Sequence, residues 1–247
     1  MDMNWPAFRL SLVVFASVTL IGATSPDPIS NVQRRIVDNV HLRTIEVNLA
    51  DPHVRIDVET ASGFPRGSES FGTMVQRSHA TVAIDGAYFS KTTLAPIGDI
   101  VVGGKLVYQG LMGTALAITR DNDVTIRRVI PDHAEDWSGY ETVLGCGPAL
   151  VLNRRIDVDP AGERFRDPHV MGSTRRMGVA LLLDRRMAIV MTDDPVTFTK
   201  WAQVMYDFGA TDAMNLDAGA SMGMYVRGKT IVAPSRQITN ILAITDR

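Results

Sequence analysis

The chain has 247 residues, 45% of them hydrophobic, which is enough to bury a sizeable core in one domain or at most two. A formal net charge of −2 and a pI near 6.2 give no electrostatic basis for a nucleic-acid partner, so none is expected. The single cysteine, Cys146, excludes an internal disulfide.

The N-terminal segment has the pattern of an export signal. Arg9 precedes an apolar run over residues 10–23, and small residues follow up to Ser25. The run is shorter than a typical membrane span. Residues 1–25 are therefore predicted to be a signal peptide, with an uncleaved anchor over 10–23 as the alternative, and residues 26–247 to be the functional domain. We expect a periplasmic or secreted protein that contacts the membrane only if this segment is uncleaved; lack of disulfides fits a bacterial envelope.

Period-two apolar runs on either side of turn residues predict hairpins along most of the chain. The predicted strand pairs are 45–49 with 54–58, the two halves of 100–107 around Gly103-Gly104, 115–118 with 124–126, 178–183 with 187–191, and 225–226 with 230–232. Helical spacing predicts a helix over 198–208 after a Thr197 cap, and a shorter one over 71–76. The predicted fold class is α+β, a single domain of antiparallel or mixed β-sheet with many hairpins and a few packed helices.

Two apolar runs end at a carboxylate followed by small residues. Residues 81–84 lead into Asp85, and residues 213–216 lead into Asp217 and the tight turn through Gly219. This predicts two carboxylates at one sheet end, where ligand sites often lie. The alternative is that Asp85 starts a structural turn. The polar segment 157–174 is interpreted as a lid or binding loop, with disorder as the alternative.

Metal and nucleophile signals are weak. The five histidines show no zinc spacing, whereas a calcium site made by Asp side chains stays open. Cys146 lies in a Gly-Pro loop without a nearby histidine, which indicates a packed residue rather than a nucleophile.

Six motifs, in this order, resemble the phosphodiester glycosidase domain family from about residue 35 to the C-terminus. They are Asp85-Gly86-Ala87-Tyr88-Phe89, Pro96-Ile97-Gly98 with the following Gly-Gly hairpin, Gly145 to Leu150, Arg176-Met177-Gly178-Val179, Asn215 to Ser221, and Arg236 to Asn240. The chain departs from the family where Asp85 replaces the usual Asn and Ala218 replaces the usual Gly.

The resemblance implies a hydrolase that cleaves glycosyl phosphodiesters or related envelope glycans. It implies Asp217 as the central carboxylate near the anomeric carbon, as nucleophile, base or charge stabiliser, with Asp85 as the second acid or base. Arg176 is expected to hold the phosphate, although an ion pair between Arg176 and Asp217 is the alternative. The expected substrate-binding residues are Ser221, Gly219, Asn215, Asn240, Arg236, Gly86 and Tyr88.

The expected ligand is a carbohydrate or sugar phosphate, and the expected chemistry requires no cofactor. The competing function is a non-catalytic glycan-binding protein, or one of envelope or exopolysaccharide assembly, that retains the pocket. The sequence leaves the sugar and the oligomeric state open.

Overall fold

The computed structural model describes Met1, residues 27–110 and residues 112–246. Apart from Met1, the predicted signal or anchor segment lies outside these ranges. Within them, no helix is both long enough and apolar enough to cross a membrane.

The described residues form three sheets in which every strand pairing is antiparallel. The first sheet contains, in spatial order, β1 (Gln33–Val37), β2 (Val40–Asn48), β13 (Arg186–Val196), β12 (Thr174–Leu182), β14 (Asp212–Leu216), β10 (Ala149–Leu152) and β11 (Arg155–Ile156). The second contains β16 (Lys229–Val232), β15 (Met224–Val226), β4 (Val82–Asp85), β17 (Asn240–Asp246) and β3 (Val54–Thr60). The third contains β6 (Lys105–Tyr108), β5 (Ile100–Val102), β9 (Thr142–Cys146), β7 (Thr114–Ile118) and β8 (Val124–Arg128).

One hydrophobic core joins the three sheets. Alternation places every second residue of β3 inward, so Val54, Ile56 and Val58 are buried while their neighbours Arg55 and Asp57 face outward. The same buried cluster takes apolar side chains from all three sheets, such as Ile189 from the first, Ile84 from the second and Leu144 from the third. This shared core makes the molecule a single α+β domain, which confirms the predicted fold class.

Three short helices complete the described part of the fold. They are α1 (Phe71–Ser78), α2 (Pro168–Met171) and α3 (Phe198–Phe208). Of these, α3 packs against the first sheet and α1 against the second. The hydroxyl of Thr197 accepts a hydrogen bond from the Lys200 amide at 3.2 Å, and Gly209 ends α3 in the left-handed region with φ 104°. Both predicted helices are therefore confirmed, with α1 extending two residues beyond the predicted end.

Four of the five predicted hairpins are confirmed, and the fifth is wrong. Residues 45–49 and 54–58 do form strands, but they belong to different sheets: β2 pairs with β1 and β13, whereas β3 pairs with β17. The turn between them carries the chain from the first sheet to the second. Alternation specifies that a strand has one buried face, but it does not specify which strand lies beside it.

The expectation that two carboxylates share one sheet end is also corrected. Asp85 ends β4 in the second sheet, whereas Asp217 follows β14 in the first. The two strand ends meet because the Asp217 amide donates to the Gly86 carbonyl at 3.0 Å. The carboxylates therefore come together at a seam between two sheets.

Candidate active site

A cavity of about 310 Å³ opens at this seam. It is lined by Tyr88, Phe89, Lys91, Asp167, His169, Val170, Thr174, Arg176, Asp217, Ala218, Gly219, Ala220, Ser221 and Arg236. A larger cavity of about 470 Å³, between the β1–β2 hairpin and β13, contains none of the residues predicted for the site. The seam cavity is therefore the candidate active site.

Asp217 is a nearly buried carboxylate on the cavity wall. The Ala218 amide donates to its Oδ1 at 2.7 Å, and Gly219 follows in the left-handed region with φ 58°, which starts a tight turn. Burial raises the pKa of Asp217 to about 7, although the Ser221 hydroxyl, the Ala218 amide and the charges of Arg236 and Lys91 act in the opposite direction. The carboxyl group therefore changes charge near neutral pH.

Asp85 lies behind the cavity and is fully buried. Neither of its carboxyl oxygens has a hydrogen-bond partner among the residues that the structure describes. Burial and then repulsion from Asp217 raise the pKa of Asp85 well above its usual range, against the attraction of the Gly86 amide and Arg236. Burial and the neighbouring Asp217 thus both favour the neutral form of Asp85.

Arg176 is a fully buried arginine that still reaches the cavity wall. Its Nε donates to the Val196 carbonyl at 3.2 Å, and its Nη2 donates to the Gly172 carbonyl at 2.6 Å. The guanidinium lies 3.8 Å from the ring centre of Phe198, a close cation–π contact. Burial lowers the pKa of Arg176, but an arginine stays charged at neutral pH.

No ion pair joins Arg176 to Asp217 in the described part of the chain, so the structural ion pair considered as an alternative is absent there. The Nη1 of Arg176 is buried without a hydrogen bond of normal geometry among the described residues, and the neighbouring Tyr88 side chain favours the charged form of the guanidinium. A cationic group in a cavity wall is suited to an anionic ligand.

Tyr88 and Asn215 form a polar pair beside Arg176. The Asn215 side-chain amide donates to the Tyr88 hydroxyl at 3.0 Å, and also to the Leu216 carbonyl at 2.6 Å. Asn215 is fully buried, whereas Tyr88 lines the cavity. Burial, followed by the charge of Asp217, raises the pKa of Tyr88 well above its usual range, so the phenol stays protonated.

The structure separates the predicted site residues into two layers. Those on the cavity wall are Tyr88, Arg176, Asp217, Gly219, Ser221 and Arg236; those beneath it are Asp85, Gly86, Asn215 and Asn240. Asn240 accepts a hydrogen bond from the Ala87 amide at 2.7 Å, and a Cβ on Gly86 would lie 2.1 Å from its Oδ1. Asn240 therefore holds the turn after Asp85 and is not part of the cavity lining.

Sequence reasoning missed part of the cavity wall. Lys91, Asp167, His169 and Thr174 line it, and Asp167 both caps α2 and approaches Lys91 at 3.7 Å. Three of these residues lie in or next to the segment 157–174, whose interpretation as a binding loop gave the only signal for them. Arg236 stacks on Phe89 at 4.6 Å, and the side chains of Lys91, Arg176 and Arg236 line the same cavity as Asp217.

Metal ligands do not cluster within the ranges that the structure describes. No group of three or more His, Cys, Asp or Glu side chains lies there in a position to hold a metal ion.

Fold and site together define an α+β protein with a buried carboxylate–guanidinium cavity at the seam of two antiparallel sheets. The chain belongs to the phosphodiester glycosidase family, whose sequence model matches residues 78–245. Searching functionally curated proteins gives no significant match.

Solved structures share the fold at low sequence identity. The chain is similar to a hypothetical protein from Synechocystis, with a TM-score of 0.77 and 15% identity over 89% of this chain and 62% of that one. It is also similar to the zebrafish N-acetylglucosamine-1-phosphodiester alpha-N-acetylglucosaminidase catalytic domain, auto-inhibited by its pro-peptide, with a TM-score of 0.71 and 17% identity over 91% and 86% of the two chains. A putative exported protein from Burkholderia pseudomallei has a TM-score of 0.60 and 14% identity over 83% and 74%.

Proposed function

We propose that this protein hydrolyses glycosyl phosphodiesters at the bond between the anomeric carbon and the phosphate oxygen. Membership of the family supports a glycosidase-type hydrolase. The observation that carries the finer proposal is the placement of Asp217 and the Arg176 guanidinium in one cavity. The Asp217 carboxylate would stabilise the positive charge that develops on the sugar, and the Arg176 guanidinium would bind the negatively charged phosphate.

In the proposed reaction, the C1–O bond breaks through an oxocarbenium-like state and the electron pair leaves with the phosphate monoester. The ionised Asp217 carboxylate stabilises the positive charge that develops at the anomeric carbon. Water then supplies the oxygen at that carbon, and its proton passes to the phosphate monoester or to solvent. Because the leaving group is already an anion stabilised by Arg176 and Arg236, the reaction needs no strong general acid.

Asp85 has a supporting role in this proposal. It is buried behind the cavity and lies outside its lining, so it does not reach a substrate directly. Held neutral, it adds no second negative charge beside Asp217 and leaves the cavity attractive to a phosphodiester anion. This replaces the direct role as second acid or base that the sequence suggested.

The competing proposal, a glycan-binding protein without turnover, shares the same cavity. An assay of the wild-type protein against a panel of sugar 1-phosphodiesters and aryl glycosides distinguishes the two proposals. Mass spectrometry detects the free sugar and the phosphate monoester. We expect phosphodiester cleavage, unaffected by EDTA because the proposed steps use no metal. Binding of panel members without product would support the competing proposal, and EDTA-sensitive cleavage would support the calcium alternative.

We also propose that the protein is exported and that the signal peptide is removed near residue 25. The apolar run over residues 10–23 supports this. Intact-mass measurement of the protein from the envelope fraction of a bacterial host checks it. A mass that begins at Met1 would instead support the anchor.

A further inference from the structure

The strand β1 forms one edge of the first sheet. Among the described residues it pairs only with β2, and its residues from Gln33 to Ile36 are all exposed. Ile36 is 67% exposed, more than any other large hydrophobic side chain in residues 27–110 and 112–246. An edge strand of this kind carries unpaired backbone groups, so a further strand can pair with it.

The β1–β2 hairpin determines which backbone groups of β1 point outward. Val37 pairs with Val40 across the turn Asp38-Asn39, whose φ angles of 48° and 61° are both positive, as in a type I′ turn. A hydrogen-bonded pair closes such a turn, and hydrogen-bonded pairs then alternate along an antiparallel ladder. The N–H and C=O groups of Arg34 and Ile36 therefore point away from β2 and are available to another strand.

Opposite charges lie at equal distances along the chain from Ile36. Arg34 precedes it by two residues and forms no ion pair with the residues that the structure describes, whereas Asp38 follows it by two residues. Two copies of β1 that run antiparallel about a two-fold axis through Ile36 would place Arg34 of each copy opposite Asp38 of the other. The segment is therefore complementary in charge to a second copy of itself.

Like charges disfavour the neighbouring registers. A two-fold axis through Arg35 would place Arg35 opposite its own copy, and an axis through Arg34 would do the same for that residue. The register about Ile36 avoids both contacts. In that register the Ile36 N–H of each copy donates to the Ile36 carbonyl of the other, and the two exposed isoleucine side chains contact each other.

We propose that β1 joins two copies of this chain into a symmetric dimer, with the two strands antiparallel about Ile36. The first sheet would then continue from one copy into the other. Because the contact is confined to one short strand, the dimer is expected to be weak and reversible. No residue of β1 lines the seam cavity, so this inference does not depend on the proposed function.

Ile36→Pro tests the backbone pairing. Proline removes the outward N–H, which makes no hydrogen bond within the hairpin, so the variant should keep a Tm close to that of the wild type. Sedimentation equilibrium of the purified full chain should give a dimer Kd at least about tenfold higher, because both main-chain bonds at the axis are lost. Ile36→Val keeps the N–H and an apolar side chain, and this matched control should dimerise like the wild type.

Arg34→Glu tests the charge pairs and decides the question if Ile36→Pro melts well below the wild type. It places a carboxylate opposite Asp38 of the second copy, so the dimer Kd should rise, and adding Asp38→Asn should restore part of the affinity. Arg66→Glu, at another exposed arginine, is the control and should leave the Kd unchanged. A wild type that stays monomeric up to its solubility limit, or a dimer that neither Ile36→Pro nor Arg34→Glu weakens, would overturn the β1 dimer.

Discussion

Asp85 and Asp217 are two buried acids that form no ion pair with the residues that the structure describes. Buried carboxylates normally accept several hydrogen bonds, yet both oxygens of Asp85 lack a partner in the described structure. Such an arrangement costs stability, and perturbed acids of this kind concentrate at functional sites. Asp217 faces the cavity and Asp85 does not, so the same burial gives them different proposed roles.

The raised pKa of Asp217 predicts how stability depends on pH. Between its unfolded value of 3.8 and its folded value of about 7, the folded protein keeps a proton that the unfolded chain releases. The free energy of unfolding therefore falls as pH rises through this window and levels off above it. Thermal melts from pH 4 to 8 should show that Asp217→Asn gains stability relative to the wild type as pH rises; parallel curves would show that the pKa is not raised.

Arg176→Lys should show whether Arg176 acts on the phosphate part of the substrate or on the sugar part. Lysine keeps a positive charge but cannot bind both backbone carbonyls and still present a fixed donor. We expect kcat/KM to fall at least about tenfold for a sugar 1-phosphodiester and much less for an aryl glycoside. Arg176→Ala would be less informative, because it would also remove the contacts to Gly172, Val196 and Phe198.

Arg175→Lys is the matched control for this comparison. Its side chain lies 3.9 Å from Asp193 and outside the cavity lining. Equal losses on both substrates in Arg176→Lys would contradict the phosphate role and favour a structural one.

At the scale of elements, the segment 157–174 has a firm attachment to the rest of the fold. Glu163 is buried and accepts hydrogen bonds from the Thr114 hydroxyl at 2.7 Å, the Ala149 amide at 3.0 Å and Arg128 at 2.9 Å. This attachment holds Phe165 against Tyr88 and carries α2 to the cavity wall. The segment is an ordered part of the site.

Glu163→Gln should loosen this attachment. It removes the charge that pairs with Arg128 and replaces one carboxylate oxygen by an amide nitrogen, at a cost of about 1–3 kcal/mol in the free energy of unfolding. Limited proteolysis and hydrogen exchange should then show faster opening within 157–174. Glu141→Gln, in an exposed pair with Arg120, is the control; equal behaviour of the two variants would mean that Glu163 does not hold the segment.

Local patterns predicted most of the elements. The cap and stop of α3 and the turns of four hairpins depend on residues within a few positions of each other, which the sequence displays directly. The failed β2–β3 pairing and the attachment of Glu163 depend on partners far away in the chain. Lys91 and Asp167 were missed for the same reason. Each lies in a loop that reaches the site through contacts with residues far away in the chain.

For the molecule as a whole, the site is a product of sheet packing. Asp217 comes from the first sheet and Tyr88 follows a strand of the second, so the cavity exists only where those sheets meet. Resemblance to a family grouped the motifs that meet at this seam, but it did not separate the cavity wall from the buried layer. That separation followed from the burial of Asn215 and Asn240, which no pattern in the sequence displays.

The measurement that tests the central claim most directly is kcat/KM for a sugar 1-phosphodiester in Asp217→Asn. The substitution keeps the shape of the side chain and removes the charge that stabilises the sugar cation. We predict loss of turnover by at least about a thousandfold, with a Tm at or above that of the wild type at pH 8. Asp184→Asn, in the turn between β12 and β13 where φ is 58°, is the matched control and should retain full activity. A folded Asp217→Asn variant with wild-type kcat/KM would contradict the account.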